Sequence, residues 1–357
     1  MMKKLIFPLL FVLGISTHVD AQKPYKAYMV SNTHLDTQWL WTVQTTIDHY
    51  LYRTLTQNFW LIDHYPGYIF NFEGAVRYQW AKEYYPTEYE RLKNYIKAGR
   101  WNISGSSWDS TDPNIPSPES FFRNLLYGQE FFKKEFGKKS NDIFLPDCFG
   151  FGYTLPTIAA HSGIIGFSTQ KLQHRKLPFY GDHKLPFMFG LWEGIDGARI
   201  MAVPHAQDYV SRFDGQELSN NGKLVDLAKN GLNNTVYHYY GAGDRGGSPT
   251  IASVRSVETG MKGEGPVQII SARSGQLFDD YYPFEKHPEL LVFKGELLMD
   301  VHATGCYTSQ AAMKLFNRRN ELLADAAERA SVVAEWLGGA AYPEEPVSYT
   351  HLRAHET

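Results

Sequence analysis

Residues 26–41 read KAYMVSNTHLDTQWLW, an apolar run that ends in a histidine and an aspartate two positions apart. Residues 26–33 have the length and composition of a buried strand. On extended backbone, residues i and i+2 point to the same side. His34 and Asp36 are therefore expected to converge beyond the strand's carboxyl end. Such a pair is either half of a metal site, since Zn²⁺ accepts imidazole nitrogen and carboxylate oxygen, or the polar tip of an ordinary strand. H-x-D occurs by chance, so the surrounding chain has to decide between them.

The surrounding chain alternates short apolar runs with longer amphipathic ones. Residues 47–64 read as a helix, with Leu51, Leu55, Phe59 and Ile62 at helical spacing. Residues 68–72 read as a strand, 88–98 as a helix stopped by Gly99, and 101–105 as a strand. A strong helix follows at 119–136, opened by Ser117-Pro118-Glu119 and closed by Gly137. Then come a strand at 143–145, a short helix at 155–161 and a strand at 166–169. This β-then-α order predicts an α/β fold with parallel strands and helices outside them, either a barrel or an open sheet. Ligand sites in such folds gather at the carboxyl ends of the strands. From residue 309 the texture changes to a stretch without Gly or Pro that runs to 337, one long helix or a helical hairpin. The expected division is a signal peptide at 1–21, an α/β catalytic domain at 22–300, the start of a helical bundle at 301–340, and an irregular tail at 341–357.

Composition narrows the function. The chain has 357 residues, 43% hydrophobic, and a net charge of -3. No basic block is present, which argues against nucleic-acid binding. The basic residues 1–4, the apolar residues 5–16 and the small residues around Val19-Asp20-Ala21 form a secretory signal. Export to the periplasm or beyond is expected, with Gln22 as the mature N-terminus. The apolar run is too short for a resident membrane span, and Pro8 interrupts it. Cys148 and Cys306 lack C-x-x-C spacing and are expected to be free, buried thiols. Aromatic residues make up 15% of the chain, a content that serves either a thick core or a sugar-stacking surface.

Three further stretches carry polar chemistry. In FLPDCFGFGYT (144–154), Asp147 follows a strand and precedes a glycine-rich turn. It is placed to bind metal, to act as a nucleophile, or to cap the next helix. In YGAGDRGGSPT (240–250), Asp244 lies among four glycines, in a loop that is either flexible surface or tightly placed around something. The Walker spacing is absent there. In WDSTDPNIPSPE (108–119), Asp109, Asp112 and Asn114 lie in a proline-punctuated loop, which either holds sugar hydroxyls or makes a solvated turn.

In this order, SNTHLDTQWLW, WDSTDPNIPSPESFFRNLLYGQEFF, FLPDCFGFGYTLPTIAAHSGIIGFSTQKL and GELLMDVHATGCYTSQAAMKLFNRRNE resemble glycoside hydrolase family 38, the retaining α-mannosidases. The likeness covers roughly residues 27–337 and is strongest to the bacterial, exported branch. It implies an irregular seven-stranded α/β barrel followed by a helical bundle. It implies that His34, Asp36 and Asp147 bind Zn²⁺, the histidine favouring zinc over calcium. Asp147 would also be the nucleophile and Asp244 the acid/base. Trp41, Trp108, Asp112 and Arg245 would lie around a mannose-containing glycan. Where relatives often carry Glu after Trp108, this chain has Ser110. The family's fourth zinc ligand lies in a Q-[FH]-H-D stretch that the sequence does not contain; His351 and His355 lack that context. The resemblance thus implies a fragment of a longer enzyme. Two other readings stay open: a metal-dependent carbohydrate deacetylase on a related barrel, and an inactive sugar-binding fragment.

Overall fold

The computed structural model describes residues 23–172, 185–298 and 304–343. The expected signal segment, most of the tail, His351 and His355 lie outside the described residues. The chain begins β1 (Tyr25–Thr33), α1 (Val43–Thr45), a π-helical turn (Thr46–Leu51) and α2 (Tyr52–His64). Next come β2 (Phe70–Glu73), α3 (Ala75–Tyr84), α4 (Pro86–Lys97), β3 (Trp101–Ser104), α5 (Pro118–Phe136), β4 (Asp142–Phe144) and α6 (Leu155–His161). It continues with β5 (Gly166–Ser168), β6 (Gly190–Glu193), β7 (Arg199–Val203), α7 (Gly222–Lys229), β8 (Thr235–Ala242) and α8 (Ile251–Gly260). The last elements are β9 (Val267–Ser271), α9 (Gln276–Asp280), β10 (Val292–Lys294) and α10 (Ala311–Trp336).

The strands form two five-stranded sheets. In the first, β3, β2, β1 and β8 lie side by side, and β9 also pairs with β1. In the second, the order is β10-β6-β7-β5-β4. Among the described residues, every ladder is parallel except β6–β7. The fold is thus α/β with parallel sheets, as the alternation predicts. Alternate residues of β1 explain the layering. Ala27 and Met29 face an outer core with Leu55 and Phe59 of α2, while Tyr28 and Val30 face a central core. Phe144 of β4 and Met201 of β7 share that central core, so the two sheets enclose a common interior. Asp142 links their edges: its Oδ1 accepts from Gly105 N at 3.3 Å and its carbonyl from Ser106 Oγ at 2.7 Å.

The helices read from the sequence form near their expected bounds, and α3, α7, α8 and α9 form where the sequence reading places none. Ser117 Oγ accepts from Ser120 N at the start of α5, and Gly137 closes that helix in the left-handed region. The helix expected at 47–64 begins earlier, at a Thr42 cap, and contains the π-helical turn. Leu51, Leu55, Phe59 and Ile62 are all buried on it. One helix, not a hairpin, spans Ala311–Trp336. It is fixed to α5 where Glu321 accepts from Ser117 N at 2.8 Å and Glu328 pairs with Arg123 at 2.8 Å. Both cysteines are free, but only Cys148 is buried; Cys306 is exposed in a short surface turn. Among the described residues, no helix is long and apolar enough to cross a membrane.

Candidate active site

β1 delivers His34 and Asp36 beyond its carboxyl end. His34 N donates to Ala242 O and Asp36 N to Asp244 O, so β8 guides the same segment from its side. The result is a convergence of side chains. His34 Nε2 lies 3.0 Å from Asp36 Oδ1 and 3.7 Å from Asp147 Oδ2. One donor atom from each of His34, Asp36 and Asp147 falls within 4.8 Å of the others. Behind the ring, His34 Nδ1 meets Glu73 Oε1 at 2.9 Å. Burial alone would lower the pKa of His34, but hydrogen bonds to Asp36 and Glu73 outweigh it and hold the imidazolium well above the usual range.

Asp147 follows β4. It does not cap α6, whose N-cap is Thr154. Lys171, just beyond β5, places Nζ 2.7 Å from Asp147 Oδ1. The pair is ionic rather than a directed hydrogen bond, because Oδ1 has no donor aligned on it. The same ammonium lies over the Tyr209 ring at 5.2 Å. Tyr209 OH donates to Asp244 Oδ1 at 2.9 Å, and its ring meets His34 edge-on at 5.7 Å. Burial first, then the charges of Asp147 and Asp244, push the phenol's pKa up, so it remains a donor. Tyr209 therefore links the two halves of the site.

Asp244 has a φ of 56°, a left-handed conformation that aspartate tolerates better than most residues. Its loop starts at Gly243, not at residue 240, because Tyr240–Ala242 complete β8. Gly241 in that strand is required by close approach: a Cβ there would meet Asn32 O at 1.9 Å. The loop is tightly placed. Gly247 N donates to Thr54 Oγ1 at 2.8 Å, and Gly247 O accepts from Asn58 Nδ2 at 2.8 Å. Arg245 is exposed, with its guanidinium 5.4 Å from the centre of the Trp41 ring. Trp41 Nε1 donates to Thr46 Oγ1 at 2.8 Å.

The remaining expected residues lie in the loop between β3 and α5. Asp112 accepts from Asn114 N at 2.9 Å, and burial raises its pKa against that bond and one with Tyr307. Asn114 Nδ2 donates to Gly150 O at 2.7 Å, tying this loop to the turn after Asp147. Trp108 packs edge-on against Phe131 at 6.0 Å, on the outer core. Asp109 is not a sugar-facing residue but a buried partner of Arg77, at 2.9 Å. Sequence reasoning passed over Glu73, Lys171 and Tyr209. The first two stand at or just beyond strand ends, where a polar residue after an apolar run was the available signal.

The donor set fits a divalent cation. With an ion bound, His34 would lose its Nε2 proton, keep Nδ1–H donated to Glu73 and turn the Nε2 lone pair to the ion between Asp36 and Asp147. Carboxylate support of a ligand histidine is a usual feature of zinc sites. Three residues of this chain would hold the ion: His34, Asp36 and Asp147.

Comparison with known proteins identifies the family. Residues 24–296 match the pattern described as "Glycosyl hydrolases family 38 N-terminal domain". Alpha-mannosidase G of Dictyostelium discoideum is 36% identical over 313 residues, which are 87% of this chain and 28% of that protein. Human alpha-mannosidase 2C1 is 30% identical over 318 residues, or 88% of this chain and 29% of the relative. The chain thus spans under a third of the length of the curated relatives it matches. An alpha-mannosidase structure from Enterococcus faecalis V583 superposes with a TM-score of 0.72 at 20% identity, over 93% of this chain and 38% of the other, a likeness of fold. On the 24–296 match and the 36% identity, this chain belongs to glycosyl hydrolase family 38.

Proposed function

We propose that the chain supplies the catalytic site of a retaining, exo-acting α-mannosidase that releases terminal α-mannosides from glycans. The observation that carries this reading is the convergence of His34, Asp36 and Asp147, with Asp244 joined to them through Tyr209. Zinc held by the first three residues would supply Lewis-acid stabilisation of the sugar's hydroxyls. The chain's own groups do the rest. Asp147 attacks the anomeric carbon as the leaving oxygen departs, forming a glycosyl ester. Asp244 gives its proton to that oxygen, then takes one from the water that cleaves the ester. Lys171 offsets the negative charge around Asp147 and holds the attacking carboxylate in place. Tyr209 orients Asp244. Trp41, Trp108, Asp112 and Arg245 are assigned to the surroundings of the glycan.

Two structural statements belong to the same proposal. Seven of the ten strands in the two sheets would form one irregular barrel, a reading supported by their shared core and outer helices. α10 opens a helical domain. Export is proposed from the signal-like residues 1–21.

Hydrolysis of an aryl α-mannoside by the zinc-loaded protein tests the activity. Asp147→Asn is expected to lower kcat by roughly 10³-fold or more. Asp244→Asn is expected to lower it by roughly 10²–10⁴-fold, and less for a leaving group that needs no proton. An Asp147→Asn protein with the wild-type rate would remove Asp147 as the nucleophile. Acetate release from acetylated sugars, without mannose release, would favour a deacetylase.

A further inference from the structure

The turn between β2 and α3 places two buried side chains behind the metal-binding segment. Glu73 ends β2 and is 2% exposed; its Oε1 lies 2.9 Å from His34 Nδ1. Arg77, 1% exposed, lies one helical turn further on. Its Nε donates at 3.0 Å to the carbonyl of Leu35, the residue between His34 and Asp36, and Nη2 donates to the same oxygen. Nη1 pairs with Asp109 Oδ1 at 2.9 Å and reaches Glu73 O at 3.5 Å. Asp109 also meets Thr37, the residue after Asp36. Gly74 makes room for this arrangement. Its φ is +78°, and a Cβ there would lie 1.9 Å from Arg77 Nη1.

A guanidinium buried this deeply loses its hydration, and that cost is offset only when its donors are used. Here two of the three nitrogens are aimed at one peptide carbonyl, and that peptide joins the two ligands. We propose that Glu73 and Arg77 are positioning residues that preset the zinc-binding form of the His34–Asp36 pair. Glu73 keeps the proton on Nδ1, so that Nε2, which faces Asp36 and Asp147, is the nitrogen that gives up its proton and binds when zinc enters. Arg77 fixes the Leu35 peptide, so the spacing between the imidazole and the carboxylate does not depend on the ion. Asp109 is the counter-charge that keeps Arg77 in place. The proposal rests on the reading of His34, Asp36 and Asp147 as zinc ligands.

The test is the zinc affinity of the full chain, measured by competition with a chromophoric chelator. Glu73→Ala is expected to weaken binding by roughly 10–100-fold, the usual effect of removing such a partner. Glu73→Gln should weaken it less, since an amide oxygen still accepts from Nδ1–H. Arg77→Lys should also weaken it, because an ammonium cannot give the two-pronged donation. If that variant fails to fold, the two Glu73 variants still decide. ¹⁵N spectra of the zinc-loaded wild type should show His34 protonated at Nδ1. A merely structural role would lower the melting temperature of the metal-free variants and leave zinc affinity unchanged, and that result overturns the proposal. Tight zinc binding that is equal in all variants would overturn this inference alone. A wild-type chain that binds no zinc would overturn both it and the activity reading.

Discussion

Two buried histidines show how local partners decide the behaviour of one side-chain type. His34 is flanked by Asp36 and Glu73, and these outweigh burial to raise its pKa. His238 on β8 lies in the core beside Phe213, its Nδ1–H donating to Tyr239 O at 2.6 Å. No carboxylate compensates it, and burial, aided by the charge of Lys223, pushes its pKa down to about 4. An unfolded histidine titrates near 6.5. Between these values the unfolded chain binds the extra proton, so stability rises with pH. The His238 contribution is fully present above about pH 6.5 and is lost as the pH falls toward 4. It amounts to about 3 kcal/mol, at about 1.4 kcal/mol per pH unit. Chemical denaturation across this window should give a shallower pH slope for His238→Phe than for the wild type. An unchanged slope would show that His238 is not the titrating group.

At the level of elements, α5 carries a glycine that helix propensity alone cannot explain. Gly128 lies mid-helix, where alanine would ordinarily be more favourable by about 1 kcal/mol. The loop after β3 passes so close that a Cβ at Gly128 would lie 2.3 Å from Ser107 C and 2.6 Å from Trp108 N. Gly128→Ala should therefore destabilise the protein by about 1–3 kcal/mol, the cost of overpacking, measurable as a lower denaturation midpoint. A stabilised variant would mean that the loop moves away freely. Such close approaches mark the limit of what was legible in the sequence. The early strands and helices follow from apolar periodicity and from Ser117, Gly99 and Gly137, all local signals. His34, Asp36 and Asp147 were legible because each follows an apolar run in a short motif. Glu73 was not, since nothing near it in sequence shows that its carboxylate meets His34 across two strands. Tyr209 and Lys171 were missed for the same reason: their partners lie 35 and 24 residues away. Neither reading of the Asp109 loop, sugar-holding or solvated, anticipates its buried pairing with Arg77, because Arg77 lies 32 residues away on α3.

At the scale of the whole molecule, parallel strands of both sheets direct polar residues to one end of the fold. β1 brings His34 and Asp36, β2 Glu73, β4 Asp147, β5 Lys171 and β8 Asp244. The cores beneath are apolar and aromatic, and the helices that cover the sheets leave this end as the place where acids converge. In the proposed mechanism Asp147 becomes covalently attached to the sugar. A fluorinated α-mannosyl donor with a good leaving group slows the second step of a retaining mechanism more than the first, so the ester accumulates. Mass spectrometry of the digested, zinc-loaded protein should then find one added sugar on the peptide that contains Asp147, and none in Asp147→Asn. A label on another residue, or turnover to a product of inverted configuration with no label at all, would contradict the account.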